Sequence, residues 1–346
     1  MSLEYRQKGD LFEFDMLKCL RNAYFHNDCK ECLDICPHGA FYFDRNKMRL
    51  NPNKCTNCSV CIGVCPTEAL SLDFFDANDY VERLSKEDAM LSCKKDIPCL
   101  SVFDSAHFAA ALLKTDRVSC DISHCQECEL NRDGKVLESI KKRMEEGERF
   151  VRELGFEKSF EERAYKSDRR DFFKTLFGGA KEALSGEDKT SLQKPNKVPP
   201  KLSLLKQTLK PVAKEIKNTL LPTIYSFLSQ KSINDSCDNC GECIQFCPTE
   251  ALFGAKEGTA IWFMAGKCIG CGICIDVCKP EAIKNEDYID IVKWIFDRGE
   301  ELIEHTMEIC TECNTPFSYK GGELICQRCR EFVEEFSDIF KLASEE

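Results

Sequence analysis

The sequence predicts an α+β chain in which two copies of one cysteine-rich module flank a small α/β region and a helical linker, followed by a C-terminal ribbon. Three observations support this prediction. Cysteine supplies 25 of the 346 residues. The cysteine spacing of the first 80 residues returns near residue 237. The intervening residues 132–230 contain no cysteine.

Composition and charge narrow the class of protein. With 43% hydrophobic residues the chain can form real cores, and a net charge of −11 argues against a nucleic-acid binder. The N-terminal residues carry charges throughout and no apolar signal core. No run of about 18 apolar residues could span a membrane, and no peripheral membrane contact is indicated. We therefore expect a cytoplasmic protein whose reduced thiols are metal ligands rather than disulfides.

The cysteine distribution divides the chain into five segments. The two cysteine modules are expected at residues 1–80 and 232–290, and residues 81–131, with five scattered cysteines, form a small α/β region. Residues 132–231 are expected to be a helical segment and linker, with a helix over residues 136–154 and an amphipathic stretch over 202–221 interrupted by Pro211. Residues 291–346 would contain a helix and the ribbon.

Two cysteine runs in the second module share the spacing C-x2-C-x2-C-x3-C. They are Cys237, Cys240, Cys243 and Cys247, and then Cys268, Cys271, Cys274 and Cys278. Three thiolates at this spacing let one tight loop wrap three corners of a cubane. A proline after each run, Pro248 or Pro280, directs the chain away. Gly241, Gly270 and Gly272 suit loop positions that need positive φ.

These runs resemble the bacterial two-cluster ferredoxins over roughly 50 residues, a family in which the fourth cysteine of each run ligates the other cluster. The resemblance implies two [4Fe–4S] clusters. One would be held by Cys237, Cys240, Cys243 and Cys278, and the other by Cys268, Cys271, Cys274 and Cys247.

The first module repeats this pattern with one departure. Cys55, Cys58, Cys61 and Cys65 form a complete run, whereas the earlier run has only Cys29, Cys32 and Cys36, with His26 at its expected first position. By the same resemblance, one cluster would be held by Cys36, Cys55, Cys58 and Cys61. The other would have Cys29, Cys32 and Cys65 and would lack a fourth ligand.

Two residues are candidates for that fourth ligand. His26 lies in register, and histidine replaces cysteine in Rieske centres. Cys19 lies ten residues before Cys29 and offers the softer thiolate, in an arrangement that resembles multi-cluster ferredoxins with an upstream Cys-x-Arg. Cys19 is favoured over His26, and a [3Fe–4S] cluster with His26 at the surface is the third alternative.

The middle cysteines follow no ferredoxin run. A predicted strand–helix–strand pattern would bring Cys93 and Cys99 near Cys125 and Cys128, at the same ends of neighbouring strands. Four thiolates there favour a fifth [4Fe–4S] cluster over zinc or unmetallated thiols. Cys120 is expected in the core. His107 and His124 are expected to be structural rather than ligands.

The C-terminal segment contains two C-x2-C pairs. Cys310 and Cys313 are separated from Cys326 and Cys329 by twelve residues, the spacing of a zinc ribbon that holds one Zn²⁺. A hairpin over residues 317–325 is predicted between the pairs, with Gly321 and Gly322 at its turn. An Fe(Cys)4 site like that of rubredoxin is the alternative.

Residues 167–174 read SDRRDFFK, which resembles the twin-arginine export consensus. The motif lies in mid-chain and no sustained apolar core follows it, so export from this point is not expected. A basic-aromatic loop is the simpler interpretation.

No nucleophile–base pair, phosphate loop or dinucleotide motif accompanies the cysteines. We therefore predict a non-catalytic electron-transfer protein similar to polyferredoxins, with four [4Fe–4S] clusters, a fifth in the middle region, and one Zn²⁺. Its partners would be a catalytic oxidoreductase, such as a formate dehydrogenase or hydrogenase, and a second electron carrier. The alternative is an accessory, assembly or redox-sensing iron–sulfur protein for a molybdenum or tungsten oxidoreductase.

Overall fold

The computed structural model describes residues 6–8, 11–24, 26–166 and 197–341. The twin-arginine-like stretch at 167–174 and most of the predicted linker lie outside the described residues. Helices and strands are mixed throughout and form several small sheets rather than one large one.

The first module has a three-stranded sheet and a hairpin around two short helices. The strands are β1 (Arg6–Lys8), β2 (Phe12–Asp15), β3 (Phe41–Asp44), β4 (Lys47–Leu50) and β5 (Leu70–Leu72), and the helices are α1 (Leu20–Ala23) and α2 (Glu31–Ile35). The sheet has the antiparallel order β1-β2-β5, and β3 pairs with β4. Alternate residues of β2, Phe12 and Phe14, are buried against Phe41.

The middle region is a parallel sheet covered by long helices. Its elements are α3 (Ala77–Glu82), β6 (Asp88–Leu91), α4 (Ser105–Lys114), β7 (Arg117–Cys120), α5 (Lys135–Glu153) and β8 (Phe160–Glu162). The parallel order is β6-β7-β8. The third strand lies beyond residue 131, in the segment expected to be helix and linker. Three residues are too few to show a strand periodicity in the sequence.

Helix α4 is enclosed along most of its length. Ala106, Ala109 and Ala110 are fully buried, and α5 approaches them at Gly147, where a Cβ atom would lie 3.0 Å from the Ala109 nitrogen. The next helix, α6 (Pro200–Leu209), also packs on α4 and ends before Pro211. One hydrophobic core joins α4, α5 and α6 to the second module.

The second module repeats the antiparallel ribbons of the first. Its strands are β9 (Leu220–Pro222), β10 (Gln230–Ile233), β11 (Leu252–Ala255), β12 (Ala260–Phe263), β13 (Ile283–Glu286), β14 (Tyr288–Asp290) and β15 (Glu300–Glu304). Its helices are α7 (Glu242–Gln245), α8 (Ile273–Asp276) and α9 (Ile291–Ile295). Strand β10 pairs with β13 and β9 with β14, while β11, β12 and β15 form a sheet.

The C-terminal segment has one hairpin and one helix. Strand β16 (Met307–Ile309) pairs with β17 (Pro316–Ser318), and α10 (Gln327–Lys341) follows. The hairpin therefore turns at the first cysteine pair, and the prediction of a hairpin over 317–325 was wrong. Gly321 and Gly322 do have positive φ, but residues 323–325 form no strand.

Within the described ranges, no helix is both long and apolar enough to cross a membrane.

Lys201 of α6 joins the first module to the middle region through a buried ion pair. It is 4% exposed, and its Nζ donates to the carbonyl of Cys65 and to the Asp104 carboxylate, at 2.9 Å in each case. Asp104 also caps α4 by accepting from the Ala106 N–H. Both side chains are shielded from water, so removing either one would leave the other as an unpaired buried charge and would destabilise the fold.

We expect Lys201→Met to destabilise the fold by about 3–5 kcal/mol, because it leaves the Asp104 carboxylate buried without a cation. The drop in the thermal unfolding midpoint measures this effect. Lys197→Met is the matched control, since it removes an exposed pair with Glu250 at 2.6 Å, a type of pair that contributes about 0–1 kcal/mol. Equal midpoints for the two variants would contradict the prediction.

Candidate metal centres

The structure gathers Cys19, Cys29, Cys32 and Cys65 around one cavity of the first module. Burial raises the pKa of Cys32, and the thiols of Cys65, Cys19 and Cys29 raise it further. Burial also raises the pKa of Cys29 to about 11, with contributions from Cys65 and Cys19. All four thiols are thus within electrostatic range of one another, in a cavity that also has apolar walls.

Cys19 reaches this cavity because it is the N-cap residue of α1. The next residue, Leu20, is buried and lines the same cavity, which anchors the helix there. His26 is exposed and lies beside Tyr24, with ring centroids 5.5 Å apart. Of the two residues considered for the fourth ligand position, Cys19 is the one among the described cavity-lining residues.

The second group in the first module consists of Cys36, Cys55, Cys58 and Cys61. Burial raises the pKa of Cys61, and the thiols of Cys32, Cys58, Cys36 and Cys55 add to that rise. Cys36 comes from the first run, whereas the other three come from the second. The runs therefore exchange their last cysteines, and Cys32 links this group to its neighbour.

The second module shows the same exchange. Cys247 shares a cavity with Cys268, Cys271 and Cys274. Burial raises the pKa of Cys271 to about 11 and that of Cys274 to about 12, with contributions from the neighbouring thiols. The buried Lys231 lines this cavity too.

Cys278 groups instead with Cys237, Cys240 and Cys243. Burial raises the pKa of Cys243 to about 12, and the thiols of Cys237, Cys240 and Cys278 contribute. Cys240 is exposed, unlike any other cysteine of the two modules. Of the four quartets in the modules, this one is therefore open to solvent.

Backbone amides point at several of these sulfur atoms. The N–H groups of Ala69, Ala251 and Ala282 donate to Cys65, Cys247 and Cys278 at 3.3, 3.2 and 3.2 Å. Each amide lies four residues after its cysteine, just past the turn that ends the run. Such bonds partly neutralise a thiolate and help to set the potential of a bound cluster.

The loops between the cysteines use left-handed backbone, as predicted for the glycines. Gly241, Gly270 and Gly272 have φ of +77°, +67° and +77°. In the first module, Asn57 and Ser59 take the positions of Gly270 and Gly272, with φ of 57° and 64°. The loop shape is therefore retained where the sequence lacks glycine.

The middle region also brings four thiols together. Burial raises the pKa of Cys99 to about 12, with contributions from Cys93, Cys125 and Cys128. Cys93 follows β6 and Cys125 follows β7, and these strands are parallel and adjacent, so their carboxyl ends meet. Cys120 lies on β7, fully buried, and is not among the thiols that affect Cys99.

His124 lies closer to this group than the sequence indicated. Its Nε2 atom is 2.9 Å from the Cys93 sulfur, and its Nδ1 atom is 3.7 Å from a carboxylate oxygen of Asp121. His107 has the expected structural role, because its Nδ1 accepts from the Asp104 N–H in the capping box of α4.

The four cysteines of the C-terminal segment have sulfur atoms within 4.8 Å of one another. The sulfurs of Cys313 and Cys326 are 3.7 Å apart. A tetrahedral ion with Zn–S bonds of about 2.3 Å places its sulfurs roughly 3.8 Å apart, so this donor set fits one metal ion. Backbone N–H groups, chiefly that of Cys326 at 3.3 Å, lower the pKa of Cys310 to about 6.

Residues beside the cysteines connect the quartet of the middle region to the first module. Ser101, two residues after Cys99, donates its hydroxyl to the Val60 carbonyl at 2.6 Å, between Cys58 and Cys61. Its own carbonyl accepts from the Gly63 N–H at 3.1 Å, where any Cβ atom would clash with it. The middle region and the first module therefore meet beside their cysteines, at the loop between Cys58 and Cys65.

The two modules also meet beside their cysteines. The Asn27 side chain donates to the Cys271 carbonyl at 3.3 Å, and the rings of Tyr24 and Phe246 lie 5.6 Å apart. At the far side of the second module, the Asn239 amide lies 3.8 Å from the sulfur of Met307, which places the C-terminal segment beside the Cys237 loop. The middle region, the first module, the second module and the C-terminal segment thus adjoin one another beside their cysteines.

The sequence analysis did not predict a role for three residues, namely Asn27 and Ser101 at these junctions and Lys231 beside a quartet. None has a local signal, because each acts on a cysteine or loop that is distant in the chain. The position of Asn27 two residues before Cys29 was the one visible hint, and its side chain accepts a hydrogen bond from the Cys29 N–H.

Two family models match the chain, and both are described as a 4Fe-4S dicluster domain. The first matches residues 27–69 and the second matches residues 230–279. The chain therefore contains two 4Fe-4S dicluster domains, which confirms the resemblance stated for the cysteine runs. The two matches leave out Cys19, the middle cysteines and the C-terminal cysteines. No curated protein matches the chain.

We expect Cys19→Ser to lose iron from one site of the first module, because it removes the fourth thiol of that cavity. His26→Ala should keep the full iron content. The measurement is iron and sulfide per chain after anaerobic purification of both variants. Iron loss in His26→Ala alone would assign the ligand to the histidine instead.

The C-terminal group should bind a metal independently of the iron sites, because its sulfurs lie outside both dicluster domains. We expect Cys313→Ser to lose one zinc per chain, measured by elemental analysis, with unchanged iron. Cys120→Ser is a matched control, since that buried thiol belongs to no group. Iron in place of zinc at this site would favour a rubredoxin-like centre.

Proposed function

We propose that these two dicluster domains make the chain a multi-cluster iron–sulfur electron-transfer protein. The observation that carries this proposal is that the middle region, the two modules and the C-terminal segment adjoin one another through contacts beside their thiol groups. When bound, a [4Fe–4S] cluster takes up and releases one electron at a time. This arrangement fits a conduit better than a set of isolated structural metals.

The ligand assignment is part of the proposal. We assign four [4Fe–4S] clusters to the four quartets of the two modules, with Cys19 as the fourth ligand of the first. The quartet Cys93, Cys99, Cys125 and Cys128 would hold a fifth cluster. The quartet Cys310, Cys313, Cys326 and Cys329 would hold Zn²⁺. The converging thiols and their N–H donors support these assignments.

The protein's own side chains would keep the interior sites dry. Val60, Ile273 and Phe263 are at most 1% exposed and belong to the cores around the cysteines. An apolar shell of this kind limits solvent access and thereby helps to set reduction potentials. Cys240 is the exposed cysteine of the two modules, which makes its quartet the better candidate for exchange with a partner.

The partners would be redox proteins, and we propose a catalytic oxidoreductase, such as a formate dehydrogenase or hydrogenase, and a second carrier. The charge of the chain supports a basic docking face on a partner. The net charge of −11 becomes more negative on loading, because each oxidised cluster with four thiolates adds about −2.

The test is an anaerobic reductive titration of the full chain, followed by EPR. We expect roughly 20 iron atoms per chain and several low-potential signals that broaden one another, because the proposed sites belong to adjoining parts of the fold. Cys99→Ser should remove about four iron atoms and leave the other signals. Magnetically isolated or non-reducible clusters would overturn conduction and would favour an assembly or sensing role.

A further inference from the structure

Lys231 is a buried cation beside one quartet of the second module. It is 2% exposed and lines the cavity that holds Cys247, Cys268, Cys271 and Cys274. Burial raises the pKa of the last three thiols, and the charge of Lys231 opposes that rise at each of them. Lys231 therefore lies in the wall of the cavity that the four cysteines of this quartet line.

No carboxylate pairs with Lys231 among the residues that the structure describes. Its Nζ donates to the side-chain oxygen of Asn285, which is neutral. A buried ammonium group is costly unless an anion lies near it. Four thiolates around an oxidised [4Fe–4S] core carry about −2, so the quartet supplies that anion when it holds a cluster.

The equivalent position of the first module is apolar. The Ala69 and Ala282 amides make the same bond to Cys65 and Cys278, so Leu70 corresponds to Ile283. Two residues further on, Leu72 corresponds to Asn285. Their strand partners follow from the register.

Leu72 pairs with Phe12, and Asn285 pairs with Lys231. Phe12 and Lys231 are each 2% exposed. The corresponding cross-strand pair is therefore Phe12–Leu72 in the first module, with both residues buried, and Lys231–Asn285 in the second, where Lys231 is buried and Asn285 is exposed. Both residues of the pair differ between the modules. In the second module, the Asn285 side chain accepts a hydrogen bond from the Lys231 ammonium group, which the Leu72 side chain of the first module could not do.

We propose that Lys231 raises the reduction potential of the cluster held by Cys247, Cys268, Cys271 and Cys274, and that it makes this cluster easier to reduce than its counterpart in the first module. The inference rests on the proposed iron–sulfur function. A reduced cluster carries one more negative charge than an oxidised one, so a fixed positive charge in a dry site stabilises the reduced form more. Lys231 would act through its positive charge alone and would not be a ligand of the cluster.

Lys206 provides a matched control because it is also buried but already neutralised. It is 5% exposed, and its Nζ lies 2.5 Å from Asp297 and donates to the Gly266 carbonyl at 2.9 Å. Its positive charge is cancelled close by. Removing it disturbs packing to a similar degree and leaves Asp297 unpaired, but the Asp297 side chain is 36% exposed, so solvent screens that charge.

The experiment is a potentiometric EPR titration of the full chain with Lys231→Met, Lys231→Gln, Lys231→Arg and Lys206→Met. In Lys231→Met and Lys231→Gln, the equilibrium constant for reducing one cluster should fall at least tenfold, which is about 59 mV for one electron. The other midpoints should not move. Lys231→Arg should keep the original midpoint, and Lys206→Met should move none.

Iron content separates this inference from the proposed function. An unmodified chain without iron in its quartets would overturn both. Full iron with unchanged midpoints in Lys231→Met and Lys231→Gln would overturn the role of Lys231 alone. Loss of four iron atoms from both neutral variants, with retention in Lys231→Arg, would assign the charge to cluster retention and would also overturn the inference.

Discussion

The burial of thiols in groups of four is the constraint on which the rest of the structure depends. Burial and neighbouring thiols raise the pKa of cysteines such as Cys32, Cys61 and Cys99, so these thiols would hold protons rather than charge at neutral pH in the absence of metal. A metal or cluster must displace those protons to bind. Occupancy should therefore weaken as pH falls, and the loaded sites should contribute to the stability of the fold.

Two structural features stabilise the buried quartets. The runs exchange their last cysteines, so that Cys36 and Cys65, like Cys247 and Cys278, tie each module together across its own centre. Backbone amides then approach the sulfurs from the turn that follows the run, as at Ala251. Both features are local and repeat in the two modules. The differences between the modules lie in side chains that point at the quartets from neighbouring strands.

These two kinds of feature explain what the sequence could and could not predict. Cysteine spacing predicts the runs because the ligands lie in one loop, and the strand–helix–strand pattern predicts the neighbouring strands whose ends bring Cys93 and Cys125 together. Strand β8 and the true hairpin of the C-terminal segment were missed, since three-residue strands show no periodicity. Lys231 lies six residues before Cys237, yet its importance appears only when the register of β10 with β13 is known.

The quartets follow one another in the structure from the middle region, through the first and second modules, to the C-terminal segment. The middle quartet lies against the Cys58 loop, the two modules meet at Asn27 and Cys271, and the Cys237 loop lies beside the C-terminal segment. Cys240, the exposed cysteine of the two modules, lies at that end. The buried Lys231 lies beside the other quartet of the second module, which consists of Cys247, Cys268, Cys271 and Cys274. A site of raised potential there would hold an electron next to the most accessible quartet, so the charge asymmetry and the exposure asymmetry both favour electron exchange at the second module.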